Sequence, residues 1–177
     1  MLRQLREDPA IWAILEERAR SLAALDQAEE ISGDEMLTFV LGGGRYRIVA
    51  ASSREVQPLG SYTALPGAPA FLVGLVNVRG RLIAAIDIRP LLELPATAPQ
   101  TGAMLLIVSD GNTEIGLLAD SVEEVERHAL DLNPAPSAAM GRGVAWVRGV
   151  DDDLALHLDI ELLLNDSRLI VNAEGEA

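Results

Sequence analysis

From Met36 onward the chain is a series of short apolar runs separated by turn residues. Residues 36–41, 45–50 and 54–59 read as strands, and Gly42-Gly43-Gly44 between the first two is a hairpin signal. Residues 71–89, FLVGLVNVRGRLIAAIDIR, hold two apolar runs around a polar Asn77-Val78-Arg79-Gly80 turn, the pattern of two buried strands meeting tightly. The second half repeats the theme. Residues 103–109 and 113–119 flank an Asp110-Gly111-Asn112 turn, residues 122–127 follow, and residues 144–150 and 154–158 flank Asp151-Asp152-Asp153. The proline-punctuated stretches 61–69, 95–101 and 130–142 read as loops. Many short strands at close spacing predict a mainly β small barrel or sandwich. The body lacks strand-helix-strand alternation, which argues against a doubly wound nucleotide-binding fold.

Helical spacing occurs at the two ends. Asp8 as cap and Pro9 at the first helical position precede Ile11, Ile14, Leu15, Arg18, Leu22 and Leu25 on one stripe, predicting an amphipathic helix over 9–30. That helix packs on its own domain or docks on another protein; the spacing allows both. Residues 31–34 read as a linker, Asp159 as the cap of a short helix over 160–164, and residues from 172 onward as a frayed tail. The organisation predicted is a helix and linker over 1–34, a β domain over 35–168 and a tail over 169–177.

Composition narrows the function classes. Hydrophobic residues make up 49% of the 177 residues but aromatics only 3%, so the core is aliphatic and there is no broad platform for stacking bases. A net charge of −13 disfavours nucleic acid. No run is long and apolar enough to enter a bilayer and the N-terminus continues into acidic sequence, so the expectation is a cytoplasmic protein without direct membrane insertion. Absent cysteine removes thiolate chemistry, and absent lysine removes Schiff-base and phosphate-loop amines. Residues 45–89 carry six arginines against Glu55 and Asp87, a net of +4, whereas residues 103–177 carry −11. One electropositive region on an acidic protein suits steering of an acidic partner.

The candidate chemistry is sparse. His128 and His157 share no motif, and His157 alternates with Leu156 and Leu158, which places it on the solvent side of its strand. Glu123, Glu124 and Glu126 read as a solvated edge. The three aspartates at 151–153 lack the alternating ligands of a calcium loop and read as a solvated turn. The glycines at 42–44 lack the lysine of a phosphate loop. Neither a catalytic residue nor a metal or cofactor site is predicted. Asp87 and Arg89 share strand parity, and Arg79, Asp87 and Arg89 are mutual ion-pair candidates. Arg79 either braces the turn through Asp87 or reaches a partner protein.

The segment 71–89 resembles the signature of the CheW family. The resemblance runs from Met36 through Tyr46, Ile48, Pro69-Ala70-Phe71, Gly74 to Gly80 and Asp87-Ile88-Arg89. It resumes at Leu106-Ile107-Val108, Ile115 to Asp120, Val122 and Val125, and ends at Gly149 and Asp159 to Leu163. It implies two intertwined SH3-like β-barrels of five strands each, to which the N-terminal helix is an addition. It also implies a non-enzymatic adaptor that couples the cytoplasmic tip of a methyl-accepting chemoreceptor to the regulatory domain of a CheA-type histidine kinase, recruited to membrane-associated arrays. On that pattern Asn77, Arg79 and Gly80, with Arg81 beside them, match the turn near the receptor groove, and Val56 and Leu59 match an outer strand in partner contact. Pro58 departs from the family by removing a backbone donor, and the loop 60–67 is shorter than usual. The alternatives are a diverged CheW-like scaffold outside motility and a small-ligand-binding β-barrel.

Overall fold

The computed structural model describes residues 33–128, 130–135 and 145–169. The predicted helix over 9–30 and the tail beyond 169 lie outside the described residues. The chain divides into two compact units, Met1–Gly33 and Asp34–Ala177, and the architecture that follows is that of the second.

Eleven strands form two sheets among the described residues. The first has the order β10-β11-β2-β1-β9 and the second β3-β7-β8-β6-β5-β4. In chain order these are β1 Asp34–Leu41, β2 Gly44–Val49, β3 Ser53–Pro58, β4 Tyr62–Thr63, β5 Leu72–Val78, β6 Arg81–Ile86, β7 Met104–Ser109, β8 Glu114–Ala119, β9 Ser121–His128, β10 Val147–Val150 and β11 Leu156–Leu158. One short α-helix, α1, spans Ile160–Leu164 behind Asp159, whose side chain accepts from Leu162 N as an N-cap does. The chain leaves the first sheet after β2, builds the whole of the second, and returns at β9.

Alternation decides which face of each strand is buried. Leu37, Phe39 and Leu41 of β1 join Tyr46 and Ile48 of β2 in the main core, to which the second sheet contributes Leu106, Val108, Leu117 and Ala119. The opposite face of the second sheet has a smaller core of Val76, Val78, Ile83, Ala85, Leu105 and Ile107. Strands β7 and β8 are therefore apolar on both faces, which is why residues 105–108 and 115–119 read as unbroken hydrophobic runs.

Three differences from the sequence reading have local causes. The second sheet has a sixth strand, because Tyr62 and Thr63 pair with Val76 and Leu75 inside the predicted 61–69 loop. Gly74 permits this: a Cβ there would lie 2.5 Å from the Thr63 carbonyl oxygen. The strand predicted over 154–158 begins only at Leu156, since Leu154 takes a left-handed φ of 61°. The strand predicted over 144–150 begins at Val147.

Candidate functional site

The predicted turn is a two-residue hairpin loop in which Val78 pairs with Arg81 across Arg79 and Gly80. Both loop residues have positive φ, 51° for Arg79 and 85° for Gly80, as a twist-matched primed turn requires. Glycine adopts this backbone freely, whereas arginine pays about 1 kcal/mol or more for it. The Asn77 side chain closes the turn by accepting from Gly80 N at 2.8 Å.

The Arg79 side chain is 77% exposed and donates to Glu55 of β3 at 2.9 Å. That corrects the expected Arg79–Asp87 pair: Asp87 is buried one strand length away and is satisfied by another arginine. Arg81 pairs with Glu114. Val56 lies outward on β3 and is exposed, while Leu59 is partly buried and packs against both cores. The structure thus brings Glu55 and Arg79 together, sets Val56 on the same strand as Glu55, and turns Leu59 inward.

Asp87 and Arg89 form the pair that strand parity predicts. The Arg89 guanidinium donates to both carboxylate oxygens, from Nη2 at 2.8 Å and Nε at 3.0 Å, and its backbone N–H donates to the same carboxylate. Nη1 and Nη2 also donate to the hydroxyl and the carbonyl of Thr97. The hydrogen bonds Arg89 donates to Asp87 outweigh the cost of burial and raise its pKa further. This is a structural pair that ties the end of β6 to the loop over 95–101.

A second charged cluster was missed by sequence reasoning. Thr38, Arg47 and His157 sit in register on three adjacent strands, on the face of the first sheet opposite the main core. All are nearly inaccessible, and Arg47 is 1% exposed. Arg47 donates to Asp151, to Asp153 at 2.9 Å and to Thr38 at 3.1 Å. His157 Nε2 lies 2.7 Å from the same Asp151 oxygen that Arg47 holds, and the other Asp151 oxygen accepts from Asp153 N and Ala155 N. Two expectations are corrected here. His157 lies on the predicted face, yet it is 2% exposed and its Nε2 meets the buried Asp151. Asp151 is not a solvated turn residue but the buried centre of the network, whereas Asp152 and Asp153 are exposed. The available signal was an arginine in a strand otherwise apolar at alternate positions, which needs a buried carboxylate somewhere in the chain.

Glu123, Glu124 and Glu126 are exposed on β9, an edge strand that also exposes Val125. Among the described residues no cluster of three or more metal-ligating side chains forms and no helix is long and apolar enough to cross a membrane.

Two interleaved sheets, a charged hairpin turn braced on the edge strand β3 and ion pairs that hold structure define a β scaffold domain. The chain belongs to the CheW-like domain family, which it matches over residues 35–168, a family of non-enzymatic scaffolds; its class is the chemotaxis adaptor. It is 25% identical over 146 residues to the chemotaxis protein CheW of Klebsiella aerogenes, covering 80% of this chain and 88% of that protein. It is 26% identical over 162 residues to protein FrzA of Myxococcus xanthus, covering 89% and 96%. The crystal structure of the scaffolding protein TtCheW from Thermoanaerobacter tengcongensis superposes with a TM-score of 0.61 at 24% identity, over 72% of this chain and 89% of that one, which supports the fold.

Proposed function

We propose that this adaptor couples the cytoplasmic tip of a chemoreceptor to the regulatory domain of a CheA-type histidine kinase, and that the Asn77–Arg81 turn with Val56 belongs to its partner-binding surface. The observation that carries the reading is Arg79: an arginine at a turn position that asparagine or glycine would occupy at lower cost, with its guanidinium exposed. A residue kept against local preference and facing solvent is explained by what it touches outside the fold. Its bond to Glu55 holds the guanidinium in one orientation, which lowers the entropy lost on binding. In this reading each sheet curls into an SH3-like barrel, the domain occupies 35–168, and the protein is recruited to membrane-associated arrays through its partners. Signalling passes as a change in shared contacts, without chemistry in the adaptor.

The test uses the full chain and its Arg79→Asn variant in co-sedimentation with receptor tips and with the kinase regulatory domain from the same genome. Asparagine suits the left-handed backbone, so the variant stays folded and gains up to about 1 kcal/mol. Binding to at least one partner drops tenfold or more. Unchanged binding to both by a folded variant refutes the role of Arg79, and absence of binding by the wild type refutes the coupling function.

A further inference from the structure

Nine arginines lie among the described residues, and eight of them pair with a carboxylate. The ninth is Arg54, which is exposed and whose side chain makes no ion pair or hydrogen bond among the described residues. Acids are plentiful in a chain of net charge −13. A guanidinium held clear of all of them is free to meet a carboxylate from outside.

The backbone sets Arg54 apart as well. Along the edge strand β3 the pairing with β7 steps from Ser53–Val108 to Glu55–Ile107, so Arg54 is the extra residue of a bulge. Bulges re-aim side chains and recur at sheet edges and beside active sites. Arg54 lines a polar cleft of about 410 Å³ together with Arg81, Ser109, Asn112, Thr113 and Glu114. Glu114 is taken by Arg81, which leaves Arg54 as the cleft's net positive charge. The neighbouring Asp110 carboxylate is turned into its own loop, where it accepts from Asn112 N and Thr113 N. The Asn112 amide and the Ser109 and Thr113 hydroxyls supply neutral donors. The cleft also continues the surface assigned to the partner: Arg81 follows the Arg79–Gly80 turn, Glu55 braces Arg79, and Val56 is exposed two residues beyond Arg54.

We infer that Arg54 anchors an aspartate or glutamate side chain of the protein bound on the Arg79 surface, received at this cleft. The inference rests on the coupling reading and adds to it the chemistry of one contact. A guanidinium presents a planar fork of donors that matches a carboxylate with two parallel bonds.

The test titrates the full chain and its Arg54→Gln and Arg54→Glu variants with the receptor tip and with the kinase regulatory domain from the same genome. Neither substitution breaks a side-chain bond of the described fold, so both variants keep the wild-type melting midpoint. Arg54→Gln weakens binding to one of the two fragments about three- to tenfold. Arg54→Glu weakens it more than about tenfold, because the new charge repels the same carboxylate. Each exposed acid of that fragment is then changed to arginine in turn, and one such change restores binding by Arg54→Glu to within about threefold of the wild type. Wild-type affinity for both fragments in folded Arg54→Glu, or no acid whose reversal rescues it, overturns the inference and leaves the coupling function standing. Should glutamate perturb folding, undiminished binding by Arg54→Gln overturns it instead. Inorganic phosphate that saturates the Arg54 Nε–H resonance while partner binding ignores both substitutions means a small-anion site, and also overturns it. A wild type that binds neither fragment overturns the inference and the coupling reading together.

Discussion

Replacing Asp151 by alanine tests whether the buried network is the pin of the first sheet. The substitution removes one carboxylate that serves Arg47, His157 and the N–H groups of Asp153 and Ala155. Breaking a buried ion pair from one side costs about 3–5 kcal/mol, because the abandoned charge stays desolvated, and each lost turn bond adds about 1 kcal/mol. Against this, Asp153 still holds one Arg47 nitrogen at 2.9 Å, although its own side chain is 60% exposed and screened. The net expectation is about 4 kcal/mol. For a domain of this size that lowers the unfolding midpoint by about 10–16 °C, with an unchanged urea m-value. The double variant Arg47→Met with Asp151→Leu removes both charges and restores the part of the loss due to the abandoned Arg47 charge, while the bonds to His157, Asp153 N and Ala155 N stay lost. A loss below about 1 kcal/mol for Asp151→Ala, or a double variant as unstable as the single, refutes the reasoning.

The pH dependence of stability has a definite sign. His157 has a folded pKa of about 4, below its ordinary value near 6.5, so the unfolded chain takes up a proton first as pH falls. Its contribution is complete above pH 6.5 and is lost on descending through pH 4, an effect of about 3 kcal/mol that urea titrations at stepped pH detect and that His157→Gln flattens. Gly74→Ala forces a methyl group against the Thr63 carbonyl oxygen, 2.5 Å from the Cβ position; it displaces β4 at about 1–3 kcal/mol, seen as faster amide exchange at Thr63. Asp159→Ala removes both the cap of α1 and the partner of Arg148. It costs about 1–2 kcal/mol by chemical denaturation, and a loss within error contradicts the capping role.

Hairpins were legible wherever short apolar runs met a turn signal: β1–β2, β5–β6 and β7–β8 follow from paired runs around the glycine-bearing turns at 42–44, 77–80 and 110–112. The pair Asp87–Arg89 was legible because both ends lie on one strand and parity alone brings them together. Arg79–Glu55 was not, since its ends lie 24 residues apart on β3 and the β5–β6 turn, which the sheet order separates by β7 and β8 and only the tertiary fold brings together. Arg47–Asp151 spans 104 residues and was out of reach for the same reason. Charge pattern made Asp151, Asp152 and Asp153 look equivalent; position in the hairpin separates them. The β4 strand escaped because two residues among prolines carry no period at all.

The path of the chain between its sheets bears on inheritance and engineering. Residues 53–119 build the second sheet, yet Leu106, Val108, Leu117 and Ala119 face the core that this sheet shares with β1 and β2. Cut out as a fragment, that sheet would present a bare aliphatic face to water; the remainder would lose the wall it folds against. The two sheets therefore cannot be exchanged as separate cassettes between relatives, and recombination that keeps the fold has to move 34–169 as one block.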